Sequence, residues 1–330
     1  MANPEKHRRD RILRGGLLAV STVLALAAAE IGLRISFHVH RRAAFAKYDR
    51  GEPYVASEVP GLFYTGRPGM GGANSRGYFD DEHSPDKGPD AFRIVVIGDS
   101  VVVGHDVGWR QAFGKRLERK LNHAPRRRRV EVVLLACSGY STCQELVLLR
   151  NEAFRYQPDL ILWSYVLNDP ADPIYHSFNS SLGLVCEPKV HLVQLFAAGW
   201  FHLREMLSAW GGPTEFHARL HYVYWNRVEA EVAEIGRLCR EHGVPAVFMI
   251  HPVLAEKTAV EESSLLALYE NLKDLAARND LLPLDLREAY RGRELAEIGF
   301  PNDPWHPNTL GHRLLAEYLD RWIRRHDCRP

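Results

Sequence analysis

Residues 92–100 read Phe92-Arg93-Ile94-Val95-Val96-Ile97-Gly98-Asp99-Ser100. The first part of this stretch is a short, apolar, β-branched run, the pattern of a strand buried on both faces. Similar runs recur at Val130 to Leu135, Leu160 to Trp163 and Ala246 to Ile250, with a weaker one at Leu281 to Leu284. Helical patterns lie between and after them, at Trp109 to Leu121, Ser141 to Phe154, Tyr222 to His242, Glu261 to Asn279 and Thr309 to Arg325. Strands alternating with helices predict an α/β domain with a parallel sheet covered on both sides. Only residues 170–221 interrupt the alternation. Their apolar stretch from Val190 to Trp210 reads either as a helix packed in the core or as a lid beside the substrate.

Composition sets the outer bounds. The chain has 330 residues, with 42 Lys+Arg against 41 Asp+Glu, so its formal net charge is +1. That balance argues against nucleic acid as the main partner, since such binders carry a basic excess. Hydrophobic residues make up 46% and charged residues 25%, which excludes a disordered chain, a collagen-like chain and a polytopic membrane protein. Five cysteines (Cys137, Cys143, Cys186, Cys239, Cys328) are too few and too scattered for a disulfide framework. Neither CxxC nor HExxH occurs, so no metal or other cofactor is expected.

The first residues form a separate unit. Lys6, Arg8, Arg9, Arg11 and Arg14 make a basic head, followed by an apolar run from Gly15 to Ala29 that reaches Leu33 across Glu30. Gly15 to Leu33 is 19 residues, which as a helix spans roughly 28 Å, about one hydrocarbon core. The run reads as an uncleaved signal anchor, as a signal peptide cut near Ala27-Ala28-Ala29, or as a buried helix; the anchor is the expectation carried forward. Arg34, Arg41, Arg42, Lys47 and Arg50 follow the span and match the five charges before it, so charge bias does not fix topology. The short head and large trailing domain suit a head-inside anchor with the domain exported. The expected organisation is a basic head and anchor over 1–36, an irregular extension rich in Gly, Pro, Asp and Ser over 37–90, and the α/β domain over 91–330.

In such a sheet, ligands gather beyond the carboxyl ends of the strands. Gly98-Asp99-Ser100 follows the first strand, Cys137-Ser138-Gly139-Tyr140-Ser141-Thr142 the second, Asn168-Asp169 the third and His251-Pro252 the fourth. Near the end lies Asn302-Asp303-Pro304-Trp305-His306-Pro307-Asn308. A serine at a strand-to-helix turn, a histidine and an acid at one rim point to nucleophilic catalysis. The spacing of Asp303 and His306 lets the carboxylate reach Nδ1, leaving Nε2 to deprotonate Ser100. Gly139, Asn168 and the Ser100 N–H suit an oxyanion hole. Each piece alone is ordinary: Gly-Asp-Ser and Asn-Asp are common in turns, and the chain has 16 histidines.

Taken in order, Gly98-Asp99-Ser100, Gly139, Asn168 and Asp303-x-x-His306 resemble the four blocks of the SGNH/GDSL hydrolase superfamily. Upstream, Asn74-Ser75-Arg76-Gly77-Tyr78 resembles an Asn-Ser-x-Gly-Phe element of membrane-anchored members, and the whole is most similar to exported members related to polysaccharide O-acetylation. The resemblance spans about residues 74–325. It implies a flavodoxin-like three-layer α/β/α fold and metal-free ester hydrolysis, with Ser100, Asp303 and His306 as the triad. An acylated small molecule or glycan is the implied substrate. A glycan acyltransferase and a non-catalytic glycan-binding protein of the same fold are the alternatives. Two positions depart from the pattern: Val166 stands where glycine is usual, and Cys137 where asparagine is frequent.

Other features have two readings each. The run Arg126 to Arg129 is either a contact for anionic lipid or glycan, or a solvated loop. His105 and His251 either line the pocket or cap strand ends. Trp163, Tyr165 and Trp305 either stack on sugar or pack the core and rim. Cys137 and Cys143 are either a pair or two buried thiols.

Overall fold

The computed structural model describes residues 4–48, 54–62, 64–123, 128–170, 190–193, 195–196, 199, 213–254, 265–301, 303 and 305–326. The stretch read first becomes the interior strand β3 (Ala91–Gly98), after a small antiparallel pair, β1 (Tyr54–Ala56) and β2 (Tyr64–Gly66). The four other apolar runs become β4 (Arg129–Ala136), β5 (Leu160–Tyr165), β6 (Ala246–Ile250) and β7 (Leu282–Asp285). All neighbours pair in parallel, in the order β4-β3-β5-β6-β7. Counted along the sheet, that is the flavodoxin-like order 2-1-3-4-5, whose direction reverses between β3 and β5.

Every residue of β3 is buried. Val95 and Ile97 pack into one core, Ile94 and Val96 into the other. That two-sided burial is why the sequence shows no polar alternation. Each such side chain contributes roughly 1.5–3 kcal/mol through burial. Arg93 is the polar exception. Its guanidinium pairs with Glu131 of β4 at 2.7 Å and donates to the Pro85 and Tyr156 carbonyls at 3.1 and 2.7 Å.

Helices cover both faces. On one lie α3 (Phe113–Asn122) and α8 (Thr309–Arg325); on the other lie α4 (Thr142–Asn151), α5 (Pro213–Glu241) and α6 (Leu266–Arg278). Two short helices, α2 (Ser100–Val103) and α7 (Leu295–Ile298), sit in the connections. Helix α5 begins nine residues before the expected Tyr222. Its early turns bury His217, Leu220 and His221. Histidines on the inner face hide the apolar periodicity. The stretch Val190 to Trp210 falls largely outside the described residues, as do Cys186, Cys328, Arg126 and Arg127. Arg128 folds back on the domain, donating to the Ala91 carbonyl at 2.7 Å and stacking on Phe92.

The first edge, β4, is closed by side chains, which removes a pairing surface for other chains. Asn122 both accepts from Val130 N–H and donates to its carbonyl, at 3.0 and 2.8 Å. Glu118 accepts from Val132 N–H at 3.0 Å and Lys115 donates to the Val132 carbonyl at 3.1 Å. Asp80 accepts from Leu134 N–H at 2.7 Å.

Helix α1 (Pro4–Tyr48) runs past residue 36, so 37–48 is helical where irregular chain is expected; β1 and β2 add strands further on. No glycine or proline interrupts residues 36–48 to stop it. Residues Arg11–Ser36 of α1 are long and apolar enough to cross a membrane, a property that a signal sequence shares. Leu17, Leu18, Val23 and Leu24 are exposed along it.

Candidate active site

Ser100 begins α2, directly beyond β3, with Asp99 as the N-cap accepting from Val101 N–H at 2.9 Å. Gly98 makes the turn feasible. A Cβ there would lie 2.5 Å from Val102 Cγ2 and 2.8 Å from Ser164 Cβ, so only glycine lets β3 and α2 meet. Two hundred residues later, the loop before α8 brings His306 back to this point. His306 Nε2 lies 2.9 Å from Ser100 Oγ, and Asp303 Oδ2 lies 2.6 Å from His306 Nδ1. A carboxylate only accepts, so Nδ1 carries the proton and Nε2 accepts from the serine hydroxyl. Asp303 also accepts from the N–H groups of Trp305 and His306, at 2.9 and 3.1 Å. Its partial burial works to raise the carboxyl, but the Trp305 N–H and the His306 imidazole outweigh that, and its pKa is lowered. The three residues expected from sequence thus meet in one hydrogen-bonded line.

Gly139 follows β4 and Asn168 follows β5, and these two strands flank β3. The expected oxyanion residues therefore stand on either side of Ser100, at the switch point of the sheet. Gly139 has φ +81°, and Tyr140 N–H returns to the Cys137 carbonyl at 3.2 Å, the form of a turn that needs glycine at its third position. The Asn168 loop needs no glycine at 166. Val166 N–H donates to the Asp169 carboxylate at 2.7 Å, Asp169 N–H returns to the Val166 carbonyl at 2.9 Å, and Val166 has no positive φ. Thr142 N–H reaches the Asp169 carbonyl at 3.4 Å and ties the two loops together.

The extension before β3, expected to be irregular chain, buttresses this rim. Tyr64 of β2 donates to the Ser138 carbonyl at 2.6 Å, and Tyr140 donates back to the Tyr64 carbonyl at 2.5 Å. Cys137 is a free, buried thiol, not joined to Cys143, and burial pushes its pKa up. His251 does not line the site. It is buried, bonded through Nε2 to Ser164 Oγ at 2.8 Å, and burial lowers its pKa to about 3. His105 does flank the site, its ring centroid 4.4 Å from that of His306. Trp163 and Tyr165 are core residues, whereas Trp305 is 37% exposed beside His306.

Sequence reading missed a buried acidic layer beneath the rim. Glu145 of α4 is fully buried, and neither of its carboxyl oxygens has a hydrogen-bond partner among the described residues. Burial, then Asp99 and Glu231, hold its pKa well above the usual range. Asp169 and Asp99 are raised as well, burial again the largest cause. A glutamate on a helix ordinarily signals a solvated face, so nothing in the pattern marks this one. The sign of its effect follows from linkage. Above pH 4.5 the unfolded chain releases this proton while the folded chain keeps it, so stability falls as pH rises, by up to about 1.4 kcal/mol per pH unit. Glu145→Gln removes that loss. The variant is expected to gain stability over the parent as pH rises above 5 in urea melts; a gain that is flat with pH would contradict this assignment.

A hydrogen-bonded Ser–His–Asp line at the switch point of a 2-1-3-4-5 parallel sheet has the build of a serine hydrolase. Comparison with known families agrees: the GDSL-like Lipase/Acylhydrolase family matches residues 96–314. The chain belongs to this family and is an ester-hydrolysing enzyme. No curated protein matches it. Among solved structures it is similar to the lipase Lip_vut3 from goat rumen metagenome, at 16% identity and TM-score 0.46 over 70% of this chain and 96% of that one. It is similar to the acetyl xylan esterase AlAXEase at 14% identity and TM-score 0.44, over 71% and 99%. It is also similar to the esterase EstA from Pseudoalteromonas sp. at 13% identity and TM-score 0.41, over 71% and 97%.

Proposed function

We propose that this enzyme is a membrane-anchored serine esterase that removes a short O-acyl group, acetyl above all, from a carbohydrate. The observation that carries the mechanism is the approach of His306 Nε2 to 2.9 Å from Ser100 Oγ, with Asp303 behind it. Ser100 Oγ attacks the ester carbonyl as its proton passes to His306 Nε2. Asp303 holds the imidazole in the right tautomer and stabilises the imidazolium. The Ser100 and Gly139 N–H groups and the Asn168 amide hold the oxyanion. His306 then protonates the departing alcohol, leaving Ser100 acylated. Water, deprotonated by His306, attacks the acyl carbonyl, and Ser100 leaves with the proton.

Two features favour a sugar ester. Trp305 offers a half-exposed indole beside His306, a surface on which a pyranose ring can stack. The motif set, with its upstream Asn74 to Tyr78 element, is similar to anchored proteins of polysaccharide O-acetylation. The apolar span Arg11–Ser36 supports anchoring.

The full chain in detergent is expected to cleave p-nitrophenyl acetate and to release acetate from acetylated oligosaccharides. It is expected to prefer acetyl over octanoyl esters by about tenfold or more, since discrimination in an acyl pocket accrues with each methylene. A preference for the longer chain would overturn the acetyl assignment. Acetyl transfer to an added glycan in place of release to water would favour the transferase alternative.

A further inference from the structure

We infer that His217 is a positioning residue for this reaction, a neutral imidazole clamp joining the oxyanion loop to the triad loop. The inference rests on the esterase reading above. His217 lies on α5, outside every motif singled out in the sequence, and is fully buried. One side of its ring faces the loop of Asn168: Nδ1 lies 3.2 Å from the carbonyl of Leu167, the residue just before Asn168. The other side faces the loop of His306: Nε2 lies 3.2 Å from the indole Nε1 of Trp305, the residue just before His306.

The chemistry of both partners fixes the imidazole. A carbonyl only accepts, so Nδ1 carries the proton and donates. An indole N–H only donates, so Nε2 is bare and accepts. Only the neutral Nδ1–H tautomer makes both bonds, and burial, the largest cause, lowers the pKa to about 4, which keeps that form at neutral pH. A second histidine one turn on repeats the arrangement. His221 Nδ1 donates to the His217 carbonyl at 2.8 Å, and Tyr165 O–H donates to His221 Nε2 at 2.9 Å. Tyr165 ends β5, so the first turns of α5 are pinned to the sheet directly beneath the clamp.

The functional consequence is geometric. The oxyanion donor on one loop and the base on the other must hold a fixed separation around a single carbonyl carbon. Neither loop contains a direct bond to the other among the described residues that would set this separation. His217 spans them. Loss of either bond leaves Ser100 and its neighbours in place and loosens the geometry in which charge develops, so the effect falls on kcat and spares KM.

The test is a double-mutant cycle on the full chain in detergent, with Trp305→Phe, His217→Phe and the double variant. Trp305→Phe keeps an aromatic ring on the rim and removes the N–H along with the five-membered part of the indole, so the double variant separates the lost bond from the lost ring area. Each single variant is expected to lower kcat for p-nitrophenyl acetate about tenfold with KM within about twofold. The double variant is expected to be no slower than the slower single, because both changes cut one link. Additive losses, a change confined to KM, or unchanged kcat in Trp305→Phe would overturn the clamp. If His217→Phe does not fold, Trp305→Phe on the rim decides alone. Labelling of Ser100 by a fluorophosphonate separates the two levels. A parent enzyme that fails to label overturns the esterase reading. A parent that labels while the variants keep their kcat overturns only the clamp.

Discussion

Ser100→Ala is expected to lower kcat for an acetyl ester by about 10⁴-fold or more, and to abolish fluorophosphonate labelling. The reason is covalent. In the proposed mechanism Ser100 Oγ is the atom that becomes acylated, and alanine offers no replacement. In the same proposal, what remains is stabilisation of the oxyanion by the rim donors with bulk water as nucleophile, so a small residual rate is expected. His306→Ala is expected to cost about as much, and the double variant little more, because nucleophile and base act as one unit. Asp303→Asn leaves the base in place but upsets its tautomer, so a loss of roughly 10²- to 10⁴-fold is expected. Steady-state kinetics on the full chain, with a thermal melt of each variant, checks the series. Turnover by Ser100→Ala within tenfold of the parent would rule out the assigned nucleophile.

The second large effect concerns stability. Asp80 is 3% exposed and lies in the extension before the catalytic sheet. Its carboxylate accepts from the Leu134 N–H on the open edge of β4 and from Lys115 Nζ, at 2.7 and 3.1 Å. Burial works to lower the Lys115 pKa, but Asp80 and Glu118 raise it above its ordinary value, so the ammonium is charged inside the protein. Asp80→Ala leaves a buried N–H without an acceptor and a buried cation short of a counter-charge. Such losses cost about 3 kcal/mol together, because the remaining group keeps its desolvation penalty. For a domain of this size that is a fall in melting temperature of roughly 6–12 °C. Asp80→Asn, which still offers a carbonyl to Leu134, is expected to fall about half as far. Asp86→Ala, on the exposed surface of the same segment, is expected to change stability by less than about 0.5 kcal/mol. A melt of Asp80→Ala indistinguishable from the parent would refute this account of the edge.

The motif residues were legible because each is tied to a local pattern. Ser100 follows a strand whose burial on both faces is written as an unbroken apolar run. Gly139 sits at a turn position that demands positive φ. Asp303 and His306 are close enough in sequence to meet within one loop. The buttresses are a different matter. Tyr64, Glu145 and His217 carry no local signature, since a tyrosine in a short strand, a glutamate in a helix and a histidine in a helix are each ordinary. Helix α5 illustrates the difficulty: its first turns present His217 and His221 to the interior, so periodicity alone starts the helix at Tyr222.

Sequence by itself determined the alternating α/β order, the parallel sheet, the identity of the triad candidates and an apolar span near the N-terminus. These follow from short-range chemistry: side-chain periodicity, turn residues and a run of apolar residues long enough for a bilayer. Tertiary structure alone decided that β3 lies between β4 and β5, that a serine and a histidine far apart in the chain meet at 2.9 Å, and that Asp80 closes an edge strand. Those outcomes depend on which buried polar group finds which partner across the fold. A hydrogen bond between distant residues leaves no periodicity in either segment, so only the folded chain records it.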